Sequence, residues 1–240
     1  MKVIIILVFL ILSITSQQSA LAQDNSHSWI VTDVGFNSVW ILNQNIYGNQ
    51  ELDYSTKFSF SGAACYRYFF GKYGFSLGLG IINLGQNYSG EMAGADAVRR
   101  INLNYLQLPL MATYRFNVFG QEKCLIFGPT IMLLLSAKQE FSRSGGRPIP
   151  NPDLLLQPGN EITNRFKAAD VVLAFEAANI FPLKLSARIK TIVSFNSGFG
   201  LLDINQEDYR IPNIHHIYKG SRNFYFGVRA GLIFNPKGKR

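Results

Sequence analysis

The feature that most constrains the fold is a strict two-residue alternation over residues 183–195. One set of alternate positions is almost wholly apolar, whereas the other carries charged and polar side chains. A period of two predicts a β-strand, because successive side chains point to opposite faces of a sheet. Such a strand fits a soluble protein with its apolar face in a core, or a membrane barrel with that face towards lipid. The apolar set is Leu183, Leu185, Ala187, Ile189, Thr191, Val193 and Phe195.

Turn-forming residues divide the chain into eight strand-like segments, most of them longer than the roughly 5–6 residues of a soluble strand. Tight turns alternate with long connections, as in outer-membrane barrels. We therefore predict an all-β fold, an eight-stranded antiparallel up-and-down transmembrane β-barrel with both termini periplasmic. The predicted strands are residues 29–42, 56–70, 73–84, 103–118, 124–141, 166–180, 183–196 and 223–234. The predicted long connections are residues 43–55, 85–102, 142–165 and 197–222.

The N-terminus has the pattern of a cleaved secretory signal peptide. Lys2 precedes an apolar run over residues 3–14, and Ala20-Leu21-Ala22 fits the small-x-small cleavage rule. The run is shorter than the about 20 residues of a membrane-spanning helix, which disfavours the alternative of an uncleaved anchor. We predict a signal peptide over residues 1–22 and a single barrel domain over residues 23–240.

Composition narrows the choice of partners. Charged residues make up 16% of the chain, whereas soluble domains average about 25%. The net charge is +8, but the basic residues are scattered and form no basic cluster, which excludes a nucleic-acid-binding surface. Scattered cations suit contact with anionic lipid. The predicted partners are outer-membrane lipid and lipopolysaccharide, together with envelope or secretion proteins.

The polar faces of the predicted strands carry nearly all of their charged side chains. A charge facing lipid near the bilayer centre costs about 2–4 kcal/mol, and a lone charge inside the barrel is also expensive. We therefore predict that these side chains meet in the lumen as a structural ion-pair network. Its predicted members are Asp33, Arg67, Arg115, Lys138, Asp170, Glu176, Arg188, Lys190 and Arg229.

One strand departs from simple alternation. Ile101, Leu103 and Tyr105 occupy the opposite parity from the apolar positions that begin at Leu106. A β-bulge adds one residue to a strand and changes which face the following side chains occupy. We predict a bulge near Tyr105.

Residues that could carry chemistry are few. His215, His216 and Ser221 lie in the last long connection with Glu207 and Asp208, a set from which a nucleophile, a base and an orienting acid could assemble. Adjacent histidines on a strand point to opposite faces, which makes a poor metal site. No catalytic residue, metal or cofactor is predicted. The two cysteines, Cys65 and Cys124, fall on non-adjacent strands, so free thiols are preferred over a disulfide.

A long connection contains three consecutive leucines, Leu154, Leu155 and Leu156, among prolines and glycines. Prolines and glycines prevent a long regular element there. Three adjacent leucines need burial against the barrel rim, in lipid or on a partner. They are the predicted partner contact.

Two stretches resemble the PorT-like outer-membrane β-barrel family. Tyr105-Leu106-Gln107-Leu108-Pro109-Leu110 is followed by Tyr114-Arg115-Phe116, and residues 224–234 are similar to the closing strand of the family. The resemblance implies an outer-membrane barrel. The member that names the family takes part in secretion through the outer membrane, and no catalytic residues are transferred by the resemblance.

Three functions remain open. The leading hypothesis is a non-enzymatic outer-membrane barrel with a structural or protein-interaction role, accessory to secretion or envelope assembly. The second is an outer-membrane lipid-modifying enzyme that uses the His215/His216 loop. The third is a soluble lipocalin-like carrier, which also has eight antiparallel strands but needs an apolar cavity inside them.

Overall fold

The computed structural model describes residues 26–43, 52–92, 94–145, 160–183, 188–210 and 217–236. The predicted signal peptide lies outside these residues. They form ten β-strands, two of them short. The strands are β1 (Ser26–Leu42), β2 (Asp53–Ser55), β3 (Lys57–Phe70), β4 (Tyr73–Met92), β5 (Ala95–Val118), β6 (Gln121–Arg143), β7 (Asn160–Glu161), β8 (Ala169–Pro182), β9 (Ile189–Gly200) and β10 (Arg222–Phe234). Within the described ranges, no helix is long and apolar enough to cross a membrane.

The eight long strands close into a barrel. Around the sheet the order is β1, β3, β4, β5, β6, β8, β9 and β10, and every neighbouring pair is antiparallel. The last strand returns to the first through a continuous ladder from Ile30↔Phe234 to Leu42↔Arg222. The short strands add to the rim, β2 on β4 and β7 on β6. The predicted eight-stranded antiparallel up-and-down barrel is confirmed.

The two ends of the barrel differ in their connections. At one end, which we call the turn end, β3 meets β4 at residues 71–72 and β5 meets β6 at residues 119–120. Phe119 and Gly120 both have positive φ (50° and 76°), as a type I′ hairpin turn requires. The opposite end, which we call the loop end, holds the connections from β6 to β8 and from β9 to β10.

Two predicted boundaries were wrong. Residues 85–102 are not a loop, because β4 and β5 stay paired as far as Met92↔Ala95. Their alternation continues there, with Tyr88 and Ile101 both fully buried. For the predicted strand at residues 183–196, the β8–β9 ladder ends at Pro182↔Lys190 and β9 begins at Ile189, whereas residues 184–187 lie outside the described ranges.

A bulge lies beside Tyr105 as predicted, but it belongs to β6 and not to the strand whose pattern suggested it. The β5–β6 register shifts between Asn104 and Tyr105, and Leu135 is the extra residue on β6. Because the extra residue belongs to β6, β5 keeps its alternation, and Ile101, Leu103 and Tyr105 all stay in the interior. On β6 the faces exchange at the bulge, which decides where the later side chains of this strand point.

The outward face of the barrel is an apolar belt. Aromatic pairs border it at both ends, as they do at membrane interfaces. At the loop end, the ring centroids of Trp40 and Phe226 are 5.4 Å apart, and at the turn end those of Tyr73 and Tyr114 are 5.3 Å apart. The exposed large side chains of the belt include Phe36, Phe60, Ile81, Leu135 and Val228.

A charge placed in the belt should destabilise the barrel, whereas the same charge beyond it should not. Val228→Lys should lower the free energy of unfolding in lipid vesicles by about 2–4 kcal/mol, because Val228 is exposed among belt residues. Ser89→Lys, at an exposed position of β4 beyond the belt, should cost at most about 1 kcal/mol. Urea unfolding in vesicles measures both, and equal losses would contradict the assignment of the belt.

Candidate functional site

The barrel interior is layered, and β1 shows the layers in order. From the turn end, its inward side chains are Trp29 and Val31, then Asp33 and Asn37, then Val39 followed by Ile41, all of them buried. The first two belong to an apolar cluster at the turn end and the last two to a larger one at the loop end. Polar groups therefore lie between two apolar layers.

Two ion pairs lie in the polar layer. Arg67 Nη2 is 3.3 Å from Glu176 Oε1, and Arg229 Nη1 is 3.5 Å from Asp33 Oδ1. All four side chains come from strands whose two-residue alternation directs them inward. Gly35 makes room for one of them, because a Cβ there would lie 3.0 Å from Arg229 Cγ. Opposite charges in contact reduce the cost of burying each of them.

Neutral polar side chains fill the rest of this layer. Asn196 Nδ2 donates to Asn37 Oδ1, and Asn37 Nδ2 donates to Ser61 Oγ, each at 3.0 Å. The cavity beside the ion pairs measures only about 40 Å³ and is bordered by Gln107 and Arg67 among others. A carrier for a small apolar molecule would need a pocket of about 300 Å³ or more. The space between these ion pairs does not fit the lipocalin-like alternative.

A second ion cluster lies at the turn end. Glu122 contacts both Arg115 and Lys190, with nitrogen-to-oxygen distances of 3.4 Å and 2.6 Å. The Arg115 guanidinium also lies 5.0 Å from the centre of the Phe69 ring. Sequence reasoning missed Glu122 because it assigned residues 119–123 to a turn. The alternation on β6 would have found it, since Glu122 shares the inward parity of Cys124.

Asp170 lies deeper in the loop-end half. It is 1% exposed, and its Oδ2 accepts a hydrogen bond from Asn223 Nδ2 at 2.9 Å. Asn223 Nδ2 also donates to the Tyr105 hydroxyl at 3.3 Å. Asp170 therefore joins an amide and phenol cluster and not the central ion pairs.

Two residues predicted for the lumen lie elsewhere. Lys138 is exposed on the outward face, because the Leu135 bulge exchanges the two faces of β6 and brings Gln139 inside instead. Arg188 is exposed just before β9, because the strand begins at Ile189 and not at residue 183. The predicted network of nine therefore has seven inward members, divided among three separate clusters.

Beyond the belt, three strands continue as an ordered sheet. We call residues 83–92 of β4, 95–104 of β5 and 136–143 of β6 the extension. Arg99 is fully buried in it, and its Nε and Nη2 both donate to Gln139 Oε1, at 3.1 Å and 2.7 Å. Its guanidinium lies 5.7 Å from the centre of the Tyr88 ring. These contacts join β4, β5 and β6 inside the extension, and they follow from the same alternation that places Ile101 inside.

The connection between β9 and β10 forms a cap organised by Asp203. Its carboxylate accepts hydrogen bonds from the Tyr218 hydroxyl at 2.8 Å and the Ser221 N–H at 3.0 Å, and it pairs with Arg210 Nε at 3.1 Å. Burial and the hydrogen bond to Asp203 raise the pKa of the Tyr218 hydroxyl above its usual range. Ile204 of the cap is buried in the loop-end apolar cluster.

The residues considered for chemistry do not assemble into a site in the described ranges. His215 and His216 lie outside these ranges, as do Leu154, Leu155 and Leu156. Ser221 is fully buried and its Oγ donates to the Asn43 carbonyl. Glu207 and Asp208 are exposed. Among the described residues no group of three or more potential ligands could hold a metal ion, and both cysteines are buried free thiols.

Removing one member of the central ion pairs should destabilise the barrel strongly. Glu176→Leu leaves the Arg67 charge buried, and it should lower the free energy of unfolding by about 3–5 kcal/mol. The double variant Arg67→Met/Glu176→Leu should recover most of the loss, since no unpaired charge then remains. Glu140→Gln is the control, because its pair with Arg100 is exposed and contributes at most about 1 kcal/mol. Additive losses in the double variant would show that the pair is not coupled.

The cap should loosen without Asp203. Asp203→Asn removes charge-assisted hydrogen bonds worth about 1.5–3 kcal/mol each. Amide hydrogen exchange should therefore accelerate across residues 201–210 and 217–221, while the unfolding midpoint of the barrel stays constant. Asp208→Asn changes an exposed carboxylate of the same connection and should leave exchange unchanged. Unaltered exchange in Asp203→Asn would rule out its organising role.

Comparisons with solved structures find other outer-membrane proteins. Neisserial surface protein A is 11% identical with a TM-score of 0.43, over 88% of this chain and 99% of that one. Ail of Yersinia pestis, in complex with the heparin analogue sucrose octasulfate, is 12% identical with a TM-score of 0.37, over 87% and 99%. OprG of Pseudomonas aeruginosa is 10% identical with a TM-score of 0.33, over 87% and 95%. No curated protein matches the chain.

The family comparison is decisive. The model of the outer membrane protein beta-barrel domain matches residues 21–204, well over half of the chain. A closed antiparallel barrel with an apolar outward belt agrees with this match. The chain belongs to the outer membrane protein β-barrel domain family.

Proposed function

We propose that this protein is a non-enzymatic, non-conducting outer-membrane barrel that serves as an interaction platform, accessory to secretion or envelope assembly. In this proposal it is PorT-like in role as well as in sequence pattern. The observation that carries the proposal is the combination of a filled interior with a sheet that continues beyond the belt.

The filled interior argues against transport through the barrel. Apolar clusters lie on both sides of the central ion pairs, and Trp29, Phe69, Leu103 and Tyr105 are each at most 2% exposed. An eight-stranded barrel is only wide enough for side chains to fill it, whereas water-filled porins have about 16–18 strands. A barrel closed in this way acts through its surface.

The extension supplies that surface. Its interior is held by the Arg99–Gln139 hydrogen bonds, whereas Glu91, Asp96, Arg100 and Glu140 are exposed on it. A backbone already paired in a sheet reduces the entropy that is lost on binding, and charged side chains steer a partner to the right orientation. These properties suit a protein partner better than a small ligand.

The proposed orientation places the turn end in the periplasm. Short turns face the periplasm and long connections face outward in barrels of this kind. The even number of strands then puts both termini in the periplasm, after removal of the predicted signal peptide over residues 1–22. The remaining residues 23–240 form one barrel domain in this proposal. The extension then projects from the outer surface of the membrane.

The test is site-specific photo-crosslinking in the native host. A photoreactive amino acid at Asp96 or at Glu140 should give an adduct with a discrete protein, identified by mass spectrometry as a component of a secretion or envelope assembly. The same amino acid at Val228, which faces lipid, should give no such adduct. A cell-impermeant maleimide should label Ser144→Cys and leave Lys72→Cys unlabelled in intact cells, because the two positions lie at opposite ends of the barrel.

Two results would contradict the proposal. Absence of protein adducts at both extension positions would remove the interaction role. Stepwise ion currents from the purified wild-type barrel in planar bilayers would show that the interior is open. Maleimide labelling of Lys72→Cys but not of Ser144→Cys would show that the barrel has the opposite orientation. The interaction role would then be decided by the photo-crosslinked adducts.

A further inference from the structure

The barrel wall is interrupted between β3 and β4. Their ladder runs from Phe70↔Tyr73 to Ser61↔Ile82, and pairing with β4 resumes only at Ser55↔Asn87 of β2. Strands within a bilayer need all of their backbone hydrogen bonds, because lipid offers none. This interruption lies at the upper border of the belt, where β3 still carries the exposed Phe58 and Phe60, and it therefore requires a substitute for the ladder.

Three side chains bridge the interruption, and one of them, Asn87, donates from Nδ2 to the Thr56 carbonyl oxygen at 3.3 Å. Lys57 Nζ donates to the carbonyl oxygens of Leu84 at 2.8 Å and Ile101 at 3.0 Å. Gln86 Nε2 donates to the Ser55 carbonyl oxygen at 3.0 Å. Here β3 and β4 are joined by side chains and not by their backbones, so their outer surfaces do not meet as a continuous wall.

A groove of about 430 Å³ lies on the outward face beside this interruption. Gly62 lies along it, and a Cβ there would find only the Asp33 carbonyl oxygen within 4 Å, at 3.7 Å. The exposed apolar side chains that line the groove are Val34, Phe60, Ile81 and Leu135, each 59% or more exposed, and the buried Ile82 and Tyr105 also border it. The exposed residues belong to the belt, so the medium that meets the groove in a membrane is lipid.

The loop-end edge of the groove is polar. Asn83 Nδ2 donates to Asn104 Oδ1 at 2.7 Å, and Asn104 Nδ2 donates to Ser136 Oγ at 2.9 Å, which marks the upper limit of the belt. Two residues further along β6, Lys138 is exposed on the same outward face. Two residues of a strand span about 7 Å. A cation therefore lies just beyond the apolar groove.

We propose that the groove binds one acyl chain of lipid A, the membrane anchor of lipopolysaccharide, with a lipid A phosphate at Lys138. The apolar walls match an acyl chain, the asparagine edge matches the interfacial sugar, and the Lys138 ammonium matches the phosphate. The nearby Arg100 is paired with Glu140 at 3.7 Å, and Glu161, the cross-strand neighbour of Lys138, accepts hydrogen bonds from the Ala137 N–H and the Thr163 hydroxyl, so Lys138 forms no ion pair within the described ranges. The choice of lipid A rests on the proposed orientation, in which the loop end lies in the outer leaflet.

The test is native mass spectrometry of the purified full barrel with lipid A or with phosphatidylglycerol. Lys138→Gln should reduce bound lipid A about tenfold, the loss expected for one charge-assisted contact. Gly62→Phe, which fills the groove, should reduce it at least as much. Lys72→Gln at the turn end and Ala177→Phe on the outward face of β8, a strand that does not line the groove, should both bind like the wild type.

Folding is checked by heat-modifiable gel migration, and Val34→Trp fills the groove from the opposite wall if Gly62→Phe does not fold. Undiminished lipid A binding in a folded groove-filling variant would overturn the proposal. Equal retention of phosphatidylglycerol, with the same sensitivity to Lys138→Gln, would overturn the assignment to lipid A. Because the assay contains only barrel and lipid, a failure here is distinct from a failure to find a protein partner.

Discussion

The constraint on which the structure depends is that backbone groups facing lipid must pair within the protein. The ladder between β1 and β10 meets it by joining the last strand to the first, so that neither strand is left as an edge. The interruption between β3 and β4 is a local exception. There the Lys57 ammonium and the Gln86 amide supply the hydrogen bonds that backbone neighbours supply elsewhere.

Closure with eight strands also determines the interior. A barrel of this width has space for side chains but not for a channel. Apolar layers at both ends remove the central ion pairs from water, and each of those charges is stabilised by the partner it meets. Because the interior is occupied, the surfaces that remain for function are the extension, the cap and the belt.

Alternation alone placed Asp33, Arg67, Glu176 and Arg229 on inward faces, and they lie there in the structure. Alternation could not show which charged side chains form ion pairs, because the two members of each pair come from different strands. The relative register of those strands depends on every turn between them. Because Leu135 is an extra residue on β6, the alternation pattern predicted Lys138 inside the barrel, whereas the structure has it on the outward face. Glu122 was missed for a similar reason, since the length of a hairpin turn decides which residues still belong to the strand.

The sequence by itself determined the fold class, the number of barrel strands and the apolar face of most strands. These properties are local, because a period of two and a turn signal are each contained in a short segment. Only the tertiary structure decided the pairing of the buried charges, the burial of Arg99, the cap around Asp203 and the groove beside Gly62. Each of these depends on side chains from strands far apart in the chain, which closure of the sheet brings together.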